Sequence, residues 1–405
     1  MHEREHPLHS MSSYLGSFPP RLPRRIIEEW LPRRATVLDP FCGSGTTLVE
    51  ASISGRRPIG ADLNPLAIAL SQAKLAHVTV SDLEFRLNDL AHGFRGETEI
   101  DEFPELLRPI FHPRTLAQLC YLQRSLVEAN PEDIFLRGCI LGIMHGKHRK
   151  DGSTAYLSVD MPNTFSMSPA YVKRFVEERG LQQPPVDVFG KLRERCRWLL
   201  RTGSLRERPD SLVVAADGAQ IHKALTRQGI SSVGGIITSP PYLGILRYGA
   251  FNWIRLWFLG FQQGEVDRHL DGTDSLDVYL SFMATFLDSA AHLLRPGAIA
   301  ALVIGDVVEN GQHLSLGERV WEELRGVAPF ELARLEADDY DSTSKTTRVW
   351  GQERRGRATP GDRILVLRRR RIAGSARRRS NRPRGAPKAL GGELPENRLG
   401  SSADC

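Results

Sequence analysis

Asp39-Pro40-Phe41-Cys42-Gly43-Ser44-Gly45-Thr46-Thr47 is the stretch on which the fold turns. It follows a short apolar run, Ala35-Thr36-Val37-Leu38, with the composition of a strand, and leads into a helical pattern over residues 47–54 closed by Gly55. Strand, glycine turn and helix in that order let a backbone come close to a ligand. Gly43 and Gly45 carry no Cβ to block the approach, and the start of the helix offers unpaired N–H groups. A second strand candidate, Pro58-Ile59-Gly60-Ala61, delivers Asp62 about 20 residues beyond the glycines, the spacing at which an acid holds a ribose diol in a Rossmann-like fold.

Further apolar runs at 212–215, 235–238, 299–304, 332–335 and 364–367 read as strands. Helical periodicity lies between them, most clearly over 279–294, which Arg295-Pro296-Gly297 brings to a stop. Strands alternating with helices predict an α/β fold, a doubly wound, mostly parallel Rossmann-like sheet of seven strands with ligands at the carboxyl ends. Asp39, Asp62, Asp217 and Ser239 all fall at such ends.

The second informative stretch is Thr238-Ser239-Pro240-Pro241-Tyr242. Each proline fixes its own φ and lacks an N–H, and each pushes the preceding residue into an extended conformation. The result is a stiff turn with outward carbonyls, a hydroxyl at one end and a stacking ring at the other. Such a turn suits the grip of a flat, amino-bearing base.

Together these two motifs resemble the amino-methyltransferases of DNA, which make N4-methylcytosine or N6-methyladenine from S-adenosylmethionine. The resemblance covers residues 18–64 and 212–367 and implies the methyltransferase version of the sheet. It implies that Asp39, Pro40, Phe41, Gly43, Gly45 and Thr46 wrap the methionine part of the cofactor, that Asp62 binds its ribose and that Asp217 meets its adenine amine. Ser239, Pro240, Pro241 and Tyr242 are then the catalytic loop, and Ser17-Phe18-Pro19-Pro20-Arg21-Leu22-Pro23 closes over the methionine carboxylate. Ser in the first position of the loop is the pattern associated with cytosine N4, whereas Asp or Asn there is commoner in adenine enzymes. The hydroxyl itself serves either base, so adenine N6 stays open.

The chemistry accounts for these residue types. An exocyclic amine is a poor nucleophile because its lone pair is delocalised into the ring. Acceptors on its two hydrogens, here the Ser239 hydroxyl and the Pro240 carbonyl, turn that lone pair toward the methyl donor. Tyr242 would stack on a base that has left the helix. Orientation and fixed dipoles supply the rate, and no metal is expected. Carbon methylation of cytosine needs a Cys nucleophile, usually after Pro. Cys42, Cys120, Cys139, Cys196 and Cys405 follow Phe, Leu, Gly, Arg and Asp, which argues against it. A tRNA guanine-N2 methyltransferase is the alternative from another substrate class. Those enzymes usually carry Asp first in the loop and an N-terminal RNA-binding domain, for which the 38 residues before Asp39 are too few.

The organisation expected is a first half of the methyltransferase domain over 1–88, a mainly helical insertion over 89–210, the second half over 211–371 and a disordered basic tail over 372–405. The insertion, with helices over 115–127, 171–178 and 188–200, is too long for a plain connection and is the candidate target-recognition region. In it, residues 145–152 form a basic, glycine-punctuated loop, and His145 and His148 have no acid or Cys cluster to complete a metal site. The mixed run 157–166 is a candidate wall of the substrate pocket. A second basic loop, 345–357, surrounds Trp350 with arginines. The aromatic run Tyr248, Phe251, Trp253, Trp257 and Phe258 has helix-core spacing and is expected to pack on the sheet, leaving Tyr248 to face base or cofactor.

Composition fits this reading. The 405 residues are 41% hydrophobic, ample for a core, and no run approaches the ~18 apolar residues of a membrane helix. The start, Met1-His2-Glu3-Arg4-Glu5-His6, has no signal-peptide pattern, and five unclustered cysteines suit reduced thiols, so a cytoplasmic protein is expected. Of the net charge of +6, the tail from Arg368 contributes +8, with ten Arg and one Lys against three acids, leaving the rest near −2. That tail suits non-specific contact with phosphates. The expected partner is DNA, in the setting of a restriction-modification or phage-defence set with a cognate endonuclease.

Overall fold

The computed structural model describes residues 5–96, 103–162, 165–166, 168–206, 210–243, 248–270, 273, 275–309, 312–326, 329–339 and 358–371. The tail over 372–405 and the loop 345–357 lie outside the described residues. Eight strands form one sheet: β1 (Thr36–Asp39), β2 (Arg57–Asp62), β3 (Leu212–Ala215), β4 (Val233–Thr238), β5 (Leu294–Glu309), β6 (Gln312–Leu314), β7 (Phe330–Asp339) and β8 (Ala358–Arg369). Their order is β3-β2-β1-β4-β5-β8-β7, with β6 hairpinned onto β5. β1 through β5 pair in parallel, and β8 runs antiparallel to both β5 and β7. This is the Rossmann-like, doubly wound sheet of seven strands that the sequence predicts, with the short β6 added.

The helices are α1 (Arg21–Trp30), α2 (Thr46–Ile53), α3 (Pro65–Leu75), α4 (Val80–Gly93), α5 (Pro113–Ser125), α6 (Pro131–Ile143), α7 (Pro169–Glu178), α8 (Val188–Leu199), α9 (Ile221–Arg227), α10 (Tyr248–Phe251), α11 (Trp253–Phe258), α12 (Gln263–His269), α13 (Leu276–Leu293) and α14 (Leu316–Leu324). Several begin on the Asx or Ser/Thr caps that satisfy first-turn N–H groups. Asn64 accepts from Leu66 N, Asn130 from Asp133 N, and Thr79 with Asp82 forms a reciprocal capping box.

The pleat sorts neighbouring side chains to opposite faces. Ile236, Ala300, Leu302, Leu365 and Leu367 join one core under α9, α13 and α14. Their neighbours Ile237, Ala301, Val303, Ile364 and Val366 join another under α1. Central strands buried on both faces read as continuous apolar runs, which is why they were legible. β5 starts at Leu294, so Arg295-Pro296-Gly297 belongs to the strand as well as ending the helix. A register shift between Val233 and Gly235 accommodates that irregular start.

A third core is shared between the insertion and the first half of the chain. Leu8, Met11, Val49, Leu66, Leu70 and Ala73 pack with Leu119, Phe135, Cys139, Leu192 and Cys196 of α5, α6 and α8. The approach of α6 is tight. A Cβ on Gly138 would lie 2.3 Å from the Ala73 Cβ, and one on Gly142 would lie 1.8 Å from the Met11 carbonyl oxygen. The rings of α11 go to this helical core and not to the sheet. Trp253, Leu256 and Phe258 are buried in it beside α3 and α5.

Candidate active site

β1 delivers Asp39, and the chain then turns through Gly45, whose φ of +79° is a left-handed conformation that L side chains rarely adopt. Gly45 N donates to the Cys42 carbonyl at 2.7 Å, and Cys42 N to the Ala61 carbonyl at 2.9 Å. The loop is thereby tied to the end of β2. There Asp62 holds it from the side: Oδ2 accepts from Gly43 N and Oδ1 from Asn64 N, both at 2.9 Å. Burial outweighs these bonds and pushes the Asp62 carboxyl up to about 6.

Asp39 lies beneath the loop, only 2% exposed. Its Oδ1 accepts from Thr238 Oγ1 at 2.5 Å and from Phe41 N at 3.2 Å, and burial raises it also to about 6. Its carboxylate therefore joins the glycine loop to β4 from below. Phe41 itself sits edge-on to Phe286 at 5.0 Å and lies against Gly218, where a Cβ would come within 2.2 Å of the ring. Beside it Asp217, two residues past β3, caps a turn by accepting from Ala219 N at 2.9 Å.

Ser239 to Tyr242 follow β4 directly. Pro240 is buried and Pro241 exposed. The buried Ser239 Oγ makes no hydrogen bond of good geometry, although it lies near enough to the Tyr242 phenol to favour its ionised form slightly against burial. Two glycines grip the Tyr242 ring by opposite edges. A Cβ on Gly16 would lie 2.9 Å from Cε2, and one on Gly305 of β5 would lie 2.9 Å from Cε1. The Tyr242 hydroxyl donates to the Gly16 carbonyl at 3.4 Å.

All twelve residues singled out in the sequence gather here, and all but Pro40 and Gly45 line one cavity of about 310 Å³. Ser17 and Phe18 line it too, with Ser17 Oγ 3.3 Å from Ser44 Oγ. Two tyrosines complete it. Tyr14 and Tyr248 stack with centroids 5.8 Å apart and planes at 27°, and the Tyr14 hydroxyl accepts from Asn64 Nδ2 at 2.9 Å. Tyr248 was a sequence candidate. Tyr14 carries no signal, because it lies outside every motif and reaches the site only through tertiary packing.

Arg255 was missed for a different reason: its helix reads as apolar core. It is fully buried. Nε donates to the Leu141 carbonyl at 2.9 Å, one Nη to Asn252 Oδ1 at 2.8 Å, and the other to Ser13 Oγ at 3.2 Å. Burial lowers its pKa to about 10. It fastens the segment carrying Tyr14 and Gly16 to α6 and α11.

Within the insertion, His145 is buried against Ser166, its Nε2 3.3 Å from Ser166 Oγ. His148 bonds Asp160 through its N–H and the Ser158 carbonyl through its ring. Of that basic loop, Lys147, Arg149 and Lys150 are exposed to solvent, together with Asp151. Leu157, Val159 and Met161 are core rather than pocket wall. Among the described residues there is no cluster of three His, Cys, Asp or Glu that could hold a metal, and no helix is long and apolar enough to cross a membrane. Cys42 is buried and, with Asp62 and Asp39 nearby, its thiol is pushed well up, away from a nucleophilic thiolate.

Residues 2–73 match the family model described as DNA methylase. The chain is 34% identical over 93 residues to the type II methyltransferase M.MvaI of Kocuria varians, covering 22% of this chain and 20% of that protein. It is 33% identical over 89 residues to the tRNA (guanine(10)-N2)-dimethyltransferase of Methanothermobacter thermautotrophicus, covering 22% and 26%. The chain thus spans about a fifth to a quarter of the length of these relatives. Among solved structures, it resembles the rRNA methyltransferase aviRa of Streptomyces viridochromogenes, with TM-score 0.37, 14% identity and coverage of 91% and 94%.

Proposed function

We propose that this chain is an S-adenosylmethionine-dependent DNA methyltransferase acting on the exocyclic N4 amine of a flipped-out cytosine. The observation that carries the reading is the buried Ser239 Oγ, left without a good partner at the floor of the cavity. Buried hydroxyls are ordinarily satisfied, so an orphan beside a stacking ring fits an acceptor that waits for a substrate hydrogen.

The cavity suits the cofactor. Asp62, half-buried and aimed across the loop, would take the ribose hydroxyls. Asp217 beside Phe41 would take the adenine amine, and the glycine loop with the start of α2 would take the methionine part. When bound, S-adenosylmethionine supplies an electrophilic methyl group on a sulfonium. The chain supplies position: Ser239 Oγ and the Pro240 carbonyl accept the two amine hydrogens, Tyr242 fixes the ring, and the Gly16 and Gly305 grip fixes Tyr242. Removal of bulk water by Tyr14 and Tyr248 strengthens these dipoles. The methylated amine is acidic enough to give up its proton without a dedicated base.

The similarity to a type II methyltransferase supports DNA as substrate, and Ser at the first loop position supports cytosine N4 over adenine N6. The comparable similarity to a tRNA dimethyltransferase keeps an RNA amine as the second reading. The size of the insertion, with α5 to α8 sharing a core with α3 and the N-terminal segment, supports a target-recognition role for it. A cognate endonuclease belongs to the same proposal.

The test is nucleoside analysis after incubation with labelled S-adenosylmethionine and, separately, genomic DNA and total tRNA. Label in N4-methylcytosine is expected. Label in N6-methyladenine would keep the mechanism and change the base, and label in tRNA alone would overturn the DNA reading.

A further inference from the structure

A second cavity of about 540 Å³ adjoins the first, sharing Tyr14, Ser17, Phe18, Ser44 and Thr46 with it. Nothing in the methyl-transfer reading uses its far wall. That wall is cationic. Arg195 of α8 and Arg201, two residues past its end, both lie over the Trp198 ring, at 5.0 and 4.1 Å from its centroid. Arg195 donates to the carbonyls of Ser10 and Met11, and Arg201 to the carbonyl of Trp198 at 2.8 Å. Among the described residues neither has a carboxylate partner.

Two buried nitrogens at this wall lack partners, Arg195 Nε and His9 Nδ1. His9 Nε2 is already committed to Glu50 at 2.7 Å. With its Nε2–H given to Glu50 and burial lowering its pKa, His9 is a neutral ring whose Nδ1 is an acceptor, so the orphaned N–H here is Arg195 Nε. Orphaned buried N–H groups are rare in folded proteins, and this one stands with two guanidinium groups that have no carboxylate partner among the described residues. The chemistry they share is recognition of an oxyanion, for which the fork of arginine is suited.

The amino-acid end of the cofactor is given, in the reading above, to the wall of Ser17, Phe18, Ser44 and Thr46, and it does not suit the opposite, cationic wall. That group is a zwitterion, whose ammonium needs acceptors and acids, and among the described lining residues Glu5 is the one carboxylate. A phosphodiester carries negative charge alone. Arg201, which lines the cavity, is itself exposed to solvent, so a bound strand can run on past it.

We propose that this second cavity binds a backbone phosphate of the DNA strand carrying the target base, with Arg195 and Arg201 as its ligands. The assignment rests on the DNA reading above and gives that strand a fixed anchor beside the cofactor pocket. Neutralising a phosphate releases counterions, so each such contact adds about one to the slope of log K against log salt.

The experiment measures binding of the full-length chain to a labelled 20-mer DNA duplex and to an RNA of the same sequence by anisotropy, across a salt series. Wild type is compared with Arg201→Gln and Arg201→Glu, which change an exposed side chain. S-adenosylhomocysteine affinity is read in parallel. The expected result is a DNA salt slope lowered by about one in Arg201→Gln, a further loss of affinity in Arg201→Glu, and unchanged S-adenosylhomocysteine affinity. Arg195→Lys, which keeps charge but loses the fork, is expected to weaken DNA severalfold with little change of slope.

An unchanged slope in both Arg201 variants would overturn the proposal. A parallel loss of S-adenosylhomocysteine affinity would also overturn it, by giving the cavity to the cofactor. An Arg201-dependent slope with RNA and not with DNA would uphold the phosphate site while defeating the DNA substrate. The same slope change with DNA that the enzyme never methylates would uphold the site and defeat the proposed function.

Discussion

Thr238 Oγ1 donates to Asp39 Oδ1 at 2.5 Å, with both groups buried. This bond joins the last residue of β1 to the last of β4, and so ties the glycine loop to the Ser239–Tyr242 turn, the proposed cofactor and catalytic loops. Thr238→Val keeps the shape and removes the donor. Leaving a buried acceptor short of a partner costs about 1–3 kcal/mol. The variant is expected to melt lower and to lose affinity for S-adenosylhomocysteine and turnover together, measured by calorimetry and single-turnover kinetics.

Asp39 also sets a pH dependence. Its carboxyl rises on folding from 3.8 to about 6, chiefly through burial, and Asp62 does the same. A group with a raised folded pKa takes up a proton on folding. Its contribution is full below the unfolded value and is lost as pH rises through the folded one. Each shift is worth at most about 3 kcal/mol. Asp39→Asn stays neutral throughout, so the melting temperature of wild type is expected to fall relative to that variant between about pH 4 and 7. A constant difference would refute the assignment.

Gly305→Ala places a methyl 2.9 Å from Tyr242 Cε1. The ring must shift, and a displacement of that kind costs on the order of 100-fold in rate. S-adenosylhomocysteine affinity is expected to hold within a few fold, because Gly305 does not line the cavity. The readout is kcat set beside the dissociation constant.

Ser239→Ala removes the proposed acceptor without adding bulk. Turnover is expected to fall by about 100- to 1,000-fold, the loss seen when one preorganised hydrogen-bonding group is deleted. Stability is expected to hold or rise slightly, since an orphaned buried hydroxyl disappears. Tyr242→Ala is expected to abolish methylation with cofactor binding near normal; loss of both together would make the loop structural.

Arg255→Met addresses the anchor of the N-terminal segment. It leaves the Leu141 carbonyl, Asn252 and Ser13 short of a donor, at about 2–4 kcal/mol in all. Proteolysis is expected to cut first near Ser13, and weaker cofactor binding is expected to accompany it. Intact protection of that segment would show that Arg255 serves only the helices.

The sheet was legible because its central strands are buried on both faces and end in acids or in Ser239. β6 was not, since three residues held only by a hairpin to β5 carry no pattern. α4 was missed although its capping box, Thr79 with Asp82, stands in the sequence. It runs across residue 88, after which the insertion is expected to start. The motifs brought their own residues to the cavity, but not the neighbours. Gly16 meets Tyr242 across 226 residues of chain, Tyr14 meets Asn64 across 50, and Gly305 reaches Tyr242 from β5; a period of two or 3.6 residues carries no trace of such contacts.

If the insertion reads the target as proposed, the close seating of Gly138 on Ala73 and of Gly142 on the Met11 carbonyl limits how this chain can acquire new targets. A recognition cassette that could be lifted out would leave a solvated scar behind. Here excision of 89–210 would strip the cover from α3 and from the segment that bears Tyr14. Exchange of the whole insertion between relatives is therefore expected to yield insoluble chimeras, while specificity remains free to drift through its exposed residues one at a time.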